Sequence, residues 1–285
     1  MEKAYRVQIP SKGPKETQTP DDFFRLPFVM LSVAKRMSGK TASMSSFLHL
    51  MKRLNLLDRV ILISPTYENN KHYFEGLPVT DVLEPSENVA TEVMDILDQE
   101  GKDYDEYHEK MKKYREFQRV VKSKLPLESI HDRYFEVHDK PEHKHGGRKP
   151  NIVAFWDDCQ NTEAFAPSKQ NKVSYLCIKH RHIGQTKEGA IGLNLMFACQ
   201  NYTSNTGGIP KTIRGNTTIL CVFKNKNQKE LDLIAEEASG EVNAKEFSSL
   251  HLEATKDDFG FLTIDFNRKR CHSSMFRQCW NKFLQ

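Results

Sequence analysis

A short apolar stretch, Pro27 to Val33 (PFVMLSV), interrupted only by Ser32, runs straight into Ala34-Lys-Arg-Met-Ser-Gly39-Lys40-Thr41. A segment with Phe47, Leu50, Met51 and Leu54 at helical spacing follows. This succession constrains the chain more than anything else in it. A short, almost wholly apolar run suits a strand buried on both faces, the state of strands in a parallel sheet covered by helices. The next apolar run, Arg59 to Ser64 (RVILIS), completes a strand–loop–helix–strand unit. Such a unit predicts a parallel sheet with a right-handed crossover.

The pattern resumes at Ile152–Trp156 (IVAFW), Leu193–Cys199 (LNLMFAC) and Thr217–Phe223 (TTILCVF), each short and rich in strand formers. Helices are expected near Gln228–Ala238 and Ala244–Leu252, with a strand at Phe259–Phe266. Phe276, Cys279, Trp280 and Phe283 suggest a closing helix. Residues 1–22, rich in Lys, Pro, Thr and Gln, read as a polar N-terminal arm, and residues 23–285 as one domain. Within it, residues from about 84 to 138 are highly charged, while Val93, Ile96, Leu97, Tyr104, Tyr107, Met111 and Tyr114 recur helically. This stretch reads as a helical insertion at the sheet's edge. The HDKPEHKHGGRKP segment after it, 138–150, has the turn formers and charges of a mobile loop. The expected fold class is α/β, a mainly parallel sheet flanked by helices.

Composition narrows the class further. Hydrophobic residues at 38% and charged residues at 28% suit a globular protein rather than a disordered one. No apolar run approaches the roughly 20 residues of a membrane span, and the N-terminus MEKAYRVQIP lacks the apolar core of a secretory signal. Cys159, Cys177, Cys199, Cys221, Cys271 and Cys279 form no CxxC pair, which fits a reducing, intracellular setting. The formal net charge of +4 permits contact with nucleic acid without demonstrating it.

The loop after the first strand carries the chemistry. Ala34 to Thr41 matches the Walker A pattern GxxxxGK[ST] at every fixed position except the first, where Ala34 replaces glycine. Backbone N–H groups of residues 36 to 41, covering Arg36, Met37, Ser38, Gly39, Lys40 and Thr41, can curl around phosphate oxygens with Lys35 beside them. The helix that starts there adds its positive dipole end. Lys40 would bridge the β- and γ-phosphates of ATP, and Thr41 would place a hydroxyl on Mg²⁺. Alanine at the first position restricts that turn. A bland alternative is an SGKT at a helix start, with Ser38 or Thr41 as an N-cap.

The strand Ile152–Trp156 ends in Asp157 and Asp158, the Walker B arrangement. Parallel strands present functional groups at their carboxyl edge, where the phosphate loop also lies. Asp157 would hold Mg²⁺, and Asp158 would polarise the attacking water as general base. Gln200, followed by Asn201, ends the next strand and is placed to sense the γ-phosphate. Arg181 and Arg214 are candidates to stabilise transition-state charge, with Arg181 slightly favoured as an arginine supplied by a neighbouring subunit. His138, His143 and His145 lack thiolate partners and sit in a polar stretch, which speaks against a metal site.

Taken in order, AKRMSGKT, RVILISPTY, IVAFWDDCQ, LNLMFACQNY and IPKTIRGNTTILCVFKN resemble the DNA-packaging ATPases of the FtsK–HerA superfamily. The likeness is strongest to the poxvirus-type packaging ATPases of large DNA viruses, virophages and Polinton-like elements, and it covers residues 26–225. The resemblance implies a RecA-like core that assembles as a homo-oligomeric ring and drives double-stranded DNA into a preformed capsid. It implies a capsid or portal vertex partner and a location in the host cytoplasm or virus factory. By position it makes Lys40 and Thr41 the nucleotide and Mg²⁺ ligands, Asp157 and Asp158 the acidic pair and Gln200 the sensor. About 60 residues follow Phe223, fewer than a nuclease domain of ordinary size needs, so translocation without cleavage is expected. Basic residues available to DNA include Lys110, Lys112, Lys113, Arg115, Lys122, Lys124 and Arg268-Lys269-Arg270. Two other readings stay open: a nucleoside or nucleotide kinase on the same loop, and a nucleotide-binding switch with negligible turnover.

Overall fold

The computed structural model describes residues 17–123, 131–165, 171–203, 208–237 and 242–285; most of the polar arm and Lys124 lie outside these. Among the described residues, nine strands form one sheet: β1 (Val29–Val33), β2 (Arg59–Ile63), β3 (Val79–Leu83), β4 (Ile152–Asp157), β5 (Asn194–Cys199), β6 (Ile219–Phe223), β7 (Phe261–Asp265), β8 (Phe276–Gln278) and β9 (Lys282–Phe283). Their order is β3-β2-β4-β5-β1-β6-β7-β8-β9. The first six in that order pair in parallel, and β7, β8 and β9 add on antiparallel. The helices are α1 (Lys40–Arg53), α2 (Tyr67–Asn70), α3 (Val89–Lys122), α4 (Lys172–Lys179), α5 (Lys211–Asn216), α6 (Gln228–Glu237) and α7 (Ala244–Ala254). The fold is α/β with a mainly parallel sheet flanked by helices, as the apolar runs predict.

The central strands are buried at every position, and alternate side chains feed two cores. Val29, Leu31 and Val33 of β1, with Ile152, Ala154 and Trp156 of β4, join Val93 and Leu97 of α3, Leu176 of α4 and Ile234 of α6 on one face. Met30, Val153 and Phe155 meet Met44, Phe47 and Met51 of α1 on the other, together with Phe23 and Phe24 from the end of the N-terminal segment.

Four features depart from expectation. The closing helix is absent: Phe276 belongs to one core while Cys279 and Trp280 pack against the other. Helical spacing there arises from a turn that divides its apolar residues between two faces, with Cys279 at φ 53°. Strand β3 went unseen because it is an edge strand, alternating between half-buried and exposed, and includes Thr80 and Asp81. The charged segment follows the edge strand β3 directly, yet its helix is not an appendage. Val89, Ala90, Val93, Leu97 and Tyr104 are buried, so the first half of α3 covers a face as the crossover from β3 to β4.

The 138–150 segment is fastened rather than mobile. Buried Glu100 of α3 pairs with Arg59, and with Lys144 at 2.7 Å, and Arg148 pairs with Asp58. His143 accepts from the amides of His145 and Gly147 and packs near Tyr107, while His138 pairs with Asp139.

Candidate active site

Strand β5 lies between β1 and β4, with Val33 beside Cys199 and Asp157 beside Ala198. The ends of the three strands therefore open on one edge. A cleft of about 270 Å³ at that edge is lined by the loop from Lys35 to Thr41, by Asp157, Asp158 and Gln200, and by Asn70 and Tyr73.

The loop leaves β1 through Ala34, whose N–H donates to the Cys199 carbonyl at 2.9 Å. Ala34 is buried and is not among the residues with left-handed backbone. Those positions in the loop are Met37 (φ 61°) and Gly39 (φ 79°). Alanine at the first position thus demands no awkward backbone, and the glycine stands where positive φ is needed. Gly39 is also the N-cap of α1, and no side chain caps that end, so neither Ser38 nor Thr41 serves as a cap. The Ser38 hydroxyl is buried without a hydrogen-bond partner among the described residues. Uncapped amides and an orphaned hydroxyl suit an incoming anion.

Behind the loop, Thr41 donates its hydroxyl to both carboxylate oxygens of Asp157, at 3.0 and 3.1 Å. The Lys40 ammonium stands 3.6 Å from Asp158, and the Gln200 side-chain amide donates to the same Asp158 oxygen at 2.7 Å. Asp157 is 1% exposed. Burial raises its pKa above the ordinary carboxylate value, against the opposing pull of Lys40, Thr41 and Asn70. A desolvated carboxylate beside a hydroxyl is an oxygen donor set that fits a hard cation such as Mg²⁺. Asp158 sits at φ 56°, and its carboxylate meets Lys40 and Gln200 while that of Asp157 meets Thr41.

Three contributors had no sequence signal. Asn70 ends α2, and Tyr73 lies in the 3-10 turn that follows it. Gln160 brackets the end of β5: its side-chain Oε1 accepts from the backbone amides of Gln200 and Asn201, and its Nε2 donates to the Asn201 backbone carbonyl at 2.7 Å. Removing that bracket in Gln160→Ala frees the strand end that carries Gln200. If the cleft hydrolyses a nucleotide, the expected result is a fall in turnover of about 10-fold at unchanged nucleotide affinity. Steady-state hydrolysis beside equilibrium binding checks it, and a parallel loss of affinity would contradict a purely positioning role.

The remaining candidates make their contacts outside the acidic cluster. Lys35 bonds Asn201 at 2.7 Å and stands 3.9 Å from buried Glu230 of α6, linking the loop to a flanking helix. Arg214 stacks over Tyr202 at 5.0 Å and pairs with Glu237 at 3.6 Å, away from the cleft. Arg181 is exposed and follows His180, whose carbonyl bonds the Leu193 amide, at the opposite edge of the sheet. Neither arginine lines the cleft.

No family model matches this chain, and no curated protein matches it. Among solved structures it is similar to the genome packaging NTPase B204 of Sulfolobus turreted icosahedral virus 2 in complex with AMPPCP, at 12% identity over 90% of this chain and 98% of that one, TM-score 0.47. The same NTPase in complex with ATP-gammaS gives 11% identity over 90% and 98%, TM-score 0.44. The pCW3 conjugation coupling protein TcpA with ATPgS gives 13% identity over 91% of this chain and 61% of that one, TM-score 0.45. At this level of likeness, function has to be read from this chain's own site. No helix among the described residues is long and apolar enough to cross a membrane.

Proposed function

We propose that this chain is an ATPase that translocates double-stranded DNA as a homo-oligomeric ring, packaging a genome into a preformed capsid. The observation that carries the ATPase reading is the convergence of Lys40, Thr41, Asp157, Asp158 and Gln200 at one sheet edge within hydrogen-bond or ion-pair reach. DNA as the track, and the capsid as destination, rest on the sequence motifs shared with packaging ATPases. The exposed lysines and arginine of distal α3 (Lys110, Lys112, Lys113, Arg115, Lys122) suit sequence-independent phosphate contacts.

In this reading the amides of residues 36 to 41 and the Lys40 ammonium hold the phosphates. Thr41 and Asp157 would hold Mg²⁺, which would supply positive charge to offset that of the phosphates. Asp158 orients the attacking water and accepts its proton, and Gln200, bonded to the same carboxylate, reports the state of the γ-phosphate. Arg214 is half-buried against Glu237 and Tyr202, whereas Arg181 is exposed and is the better placed donor to a neighbouring subunit's site.

The deciding experiment is ATP hydrolysis by the purified chain with and without linear duplex DNA at low salt. Stimulation by DNA is expected, with loss of about 10²–10³-fold in Lys40→Ala, the scale of removing one charge-stabilising donor. Hydrolysis indifferent to DNA would remove the translocase reading. Activity that survives Lys40→Ala would remove the site.

A further inference from the structure

Phe259 stands at the loop edge on the flank away from the acidic residues, and nothing above uses it. Strand β7 pairs antiparallel with β6, with Phe261 opposite Phe223. The turn that precedes β7 therefore emerges where β6 ends, beside the loop that leaves β1. The contact is close: a Cβ placed on Gly39 would stand 2.7 Å from Cδ1 of Phe259. The ring is 66% exposed, and its backbone is at φ 62°, a region that disfavours any residue with a Cβ.

The surrounding turn holds it there. The Gly260 amide donates to the Asp257 carbonyl at 3.1 Å, and a Cβ on Gly260 would meet the Ala254 carbonyl at 2.5 Å. Asp257 in turn accepts from Gln278 of β8 at 3.3 Å. An apolar ring kept exposed on strained backbone is a cost without return in the isolated fold, and such costs gather at ligand sites.

The direction of a bound triphosphate says which part of it meets the ring. Lys40, Asp158 and Gln200 fix the γ end on the β4–β5 flank. The nucleoside then leaves the loop on the β6–β7 flank, where Phe259 waits. We propose that Phe259 is the platform on which the base of the bound nucleotide stacks. The inference rests on the nucleotide reading above and adds to it a substrate class. A phenyl face accepts the π-face of any base and donates no hydrogen bond that tells bases apart. The ligand it fits is a nucleoside triphosphate without strict base identity.

Binding of Mg-ATP, Mg-GTP and Mg-tripolyphosphate, measured by calorimetry on the full chain, tests this. In Phe259→Leu, ATP and GTP should each bind roughly 10-fold more weakly, the scale of one aromatic–base stack, with tripolyphosphate unchanged. Phe259→Trp should restore both nucleotides and show indole quenching as they bind. Phe259→Gly, which relieves the positive φ, should lose the same affinity while melting no lower than wild type. Wild-type affinity for ATP in Phe259→Leu, or an equal loss for tripolyphosphate, would overturn the platform. Wild-type protein that binds neither nucleotide nor tripolyphosphate would instead overturn the nucleotide reading beneath it.

Discussion

Asp157→Asn should abolish turnover and still leave the unliganded protein at least as stable as wild type at neutral pH. The loss of turnover, about 10³-fold, is the scale of removing several kcal/mol of cation-mediated charge stabilisation. The stability result follows from burial. The unfolded Asp157 carboxyl titrates near 3.9, and the folded one titrates higher because desolvation outweighs Lys40, Thr41 and Asn70. Between those two values the native state holds more protons than the unfolded chain. Wild type therefore loses stability as pH rises through that window and does not regain it above. Asparagine keeps an oxygen for the Thr41 hydroxyl and has no such window. Melting curves from pH 4 to 8 should show the variant gaining on wild type as pH rises. Mg-ATP should raise the wild-type melting temperature and not the variant's. A variant that melts lower at every pH would mean the carboxylate is a net stabiliser and not a site held ready for a cation.

The second large effect concerns stability alone. Arg277→Ala should cost about 3–5 kcal/mol, the usual consequence of stranding one member of a buried ion pair. Arg277 is fully buried between the rings of Phe24 and Phe283. It donates to Asp265 at 3.1 Å, to the Asp22 carbonyl at 2.7 Å and to His272 Nδ1 at 3.1 Å. His272 Nε2 in turn donates to the Asp21 carbonyl at 2.6 Å. The pair joins the end of the N-terminal segment to β7 and β8. Burial, the largest influence on each, lowers the Arg277 pKa and raises that of Asp265, so desolvation outweighs their attraction. The double variant Arg277→Met with Asp265→Leu should then recover most of what the single variant loses. Urea unfolding of the two checks this, and a double variant as weak as the single one would show that the pair is itself strongly stabilising.

How much of this was legible depended on whether a feature is local. The central strands were, because a strand buried on both faces is apolar at nearly every position, with Ser32, Asn194 and Asp157 the exceptions here, and needs no partner to be seen. The loop, Asp157, Asp158 and Gln200 were legible because each directly follows such a strand. The C-terminal hairpin was not: Phe276 and Trp280 fall at helical spacing, yet they enter different cores. Gln160 and Phe259 were invisible for a related reason. Each acts on a backbone remote in sequence, and nothing in the spacing of a glutamine or a phenylalanine announces what it will touch. Ala34 was read as a flaw in the loop, whereas the positive φ falls at Met37 and Gly39 instead.

Lys40 and Gln200 meet the same oxygen of Asp158, at 3.6 and 2.7 Å. One carboxylate thereby ties the phosphate loop to the end of β5, two segments far apart in the chain. On the proposed reading, any shift of the Lys40 ammonium toward a γ-phosphate is felt at Gln200 through that shared oxygen. The end of β5 is thus geared to the loop, and motion at one is passed to the other without a hinge between them.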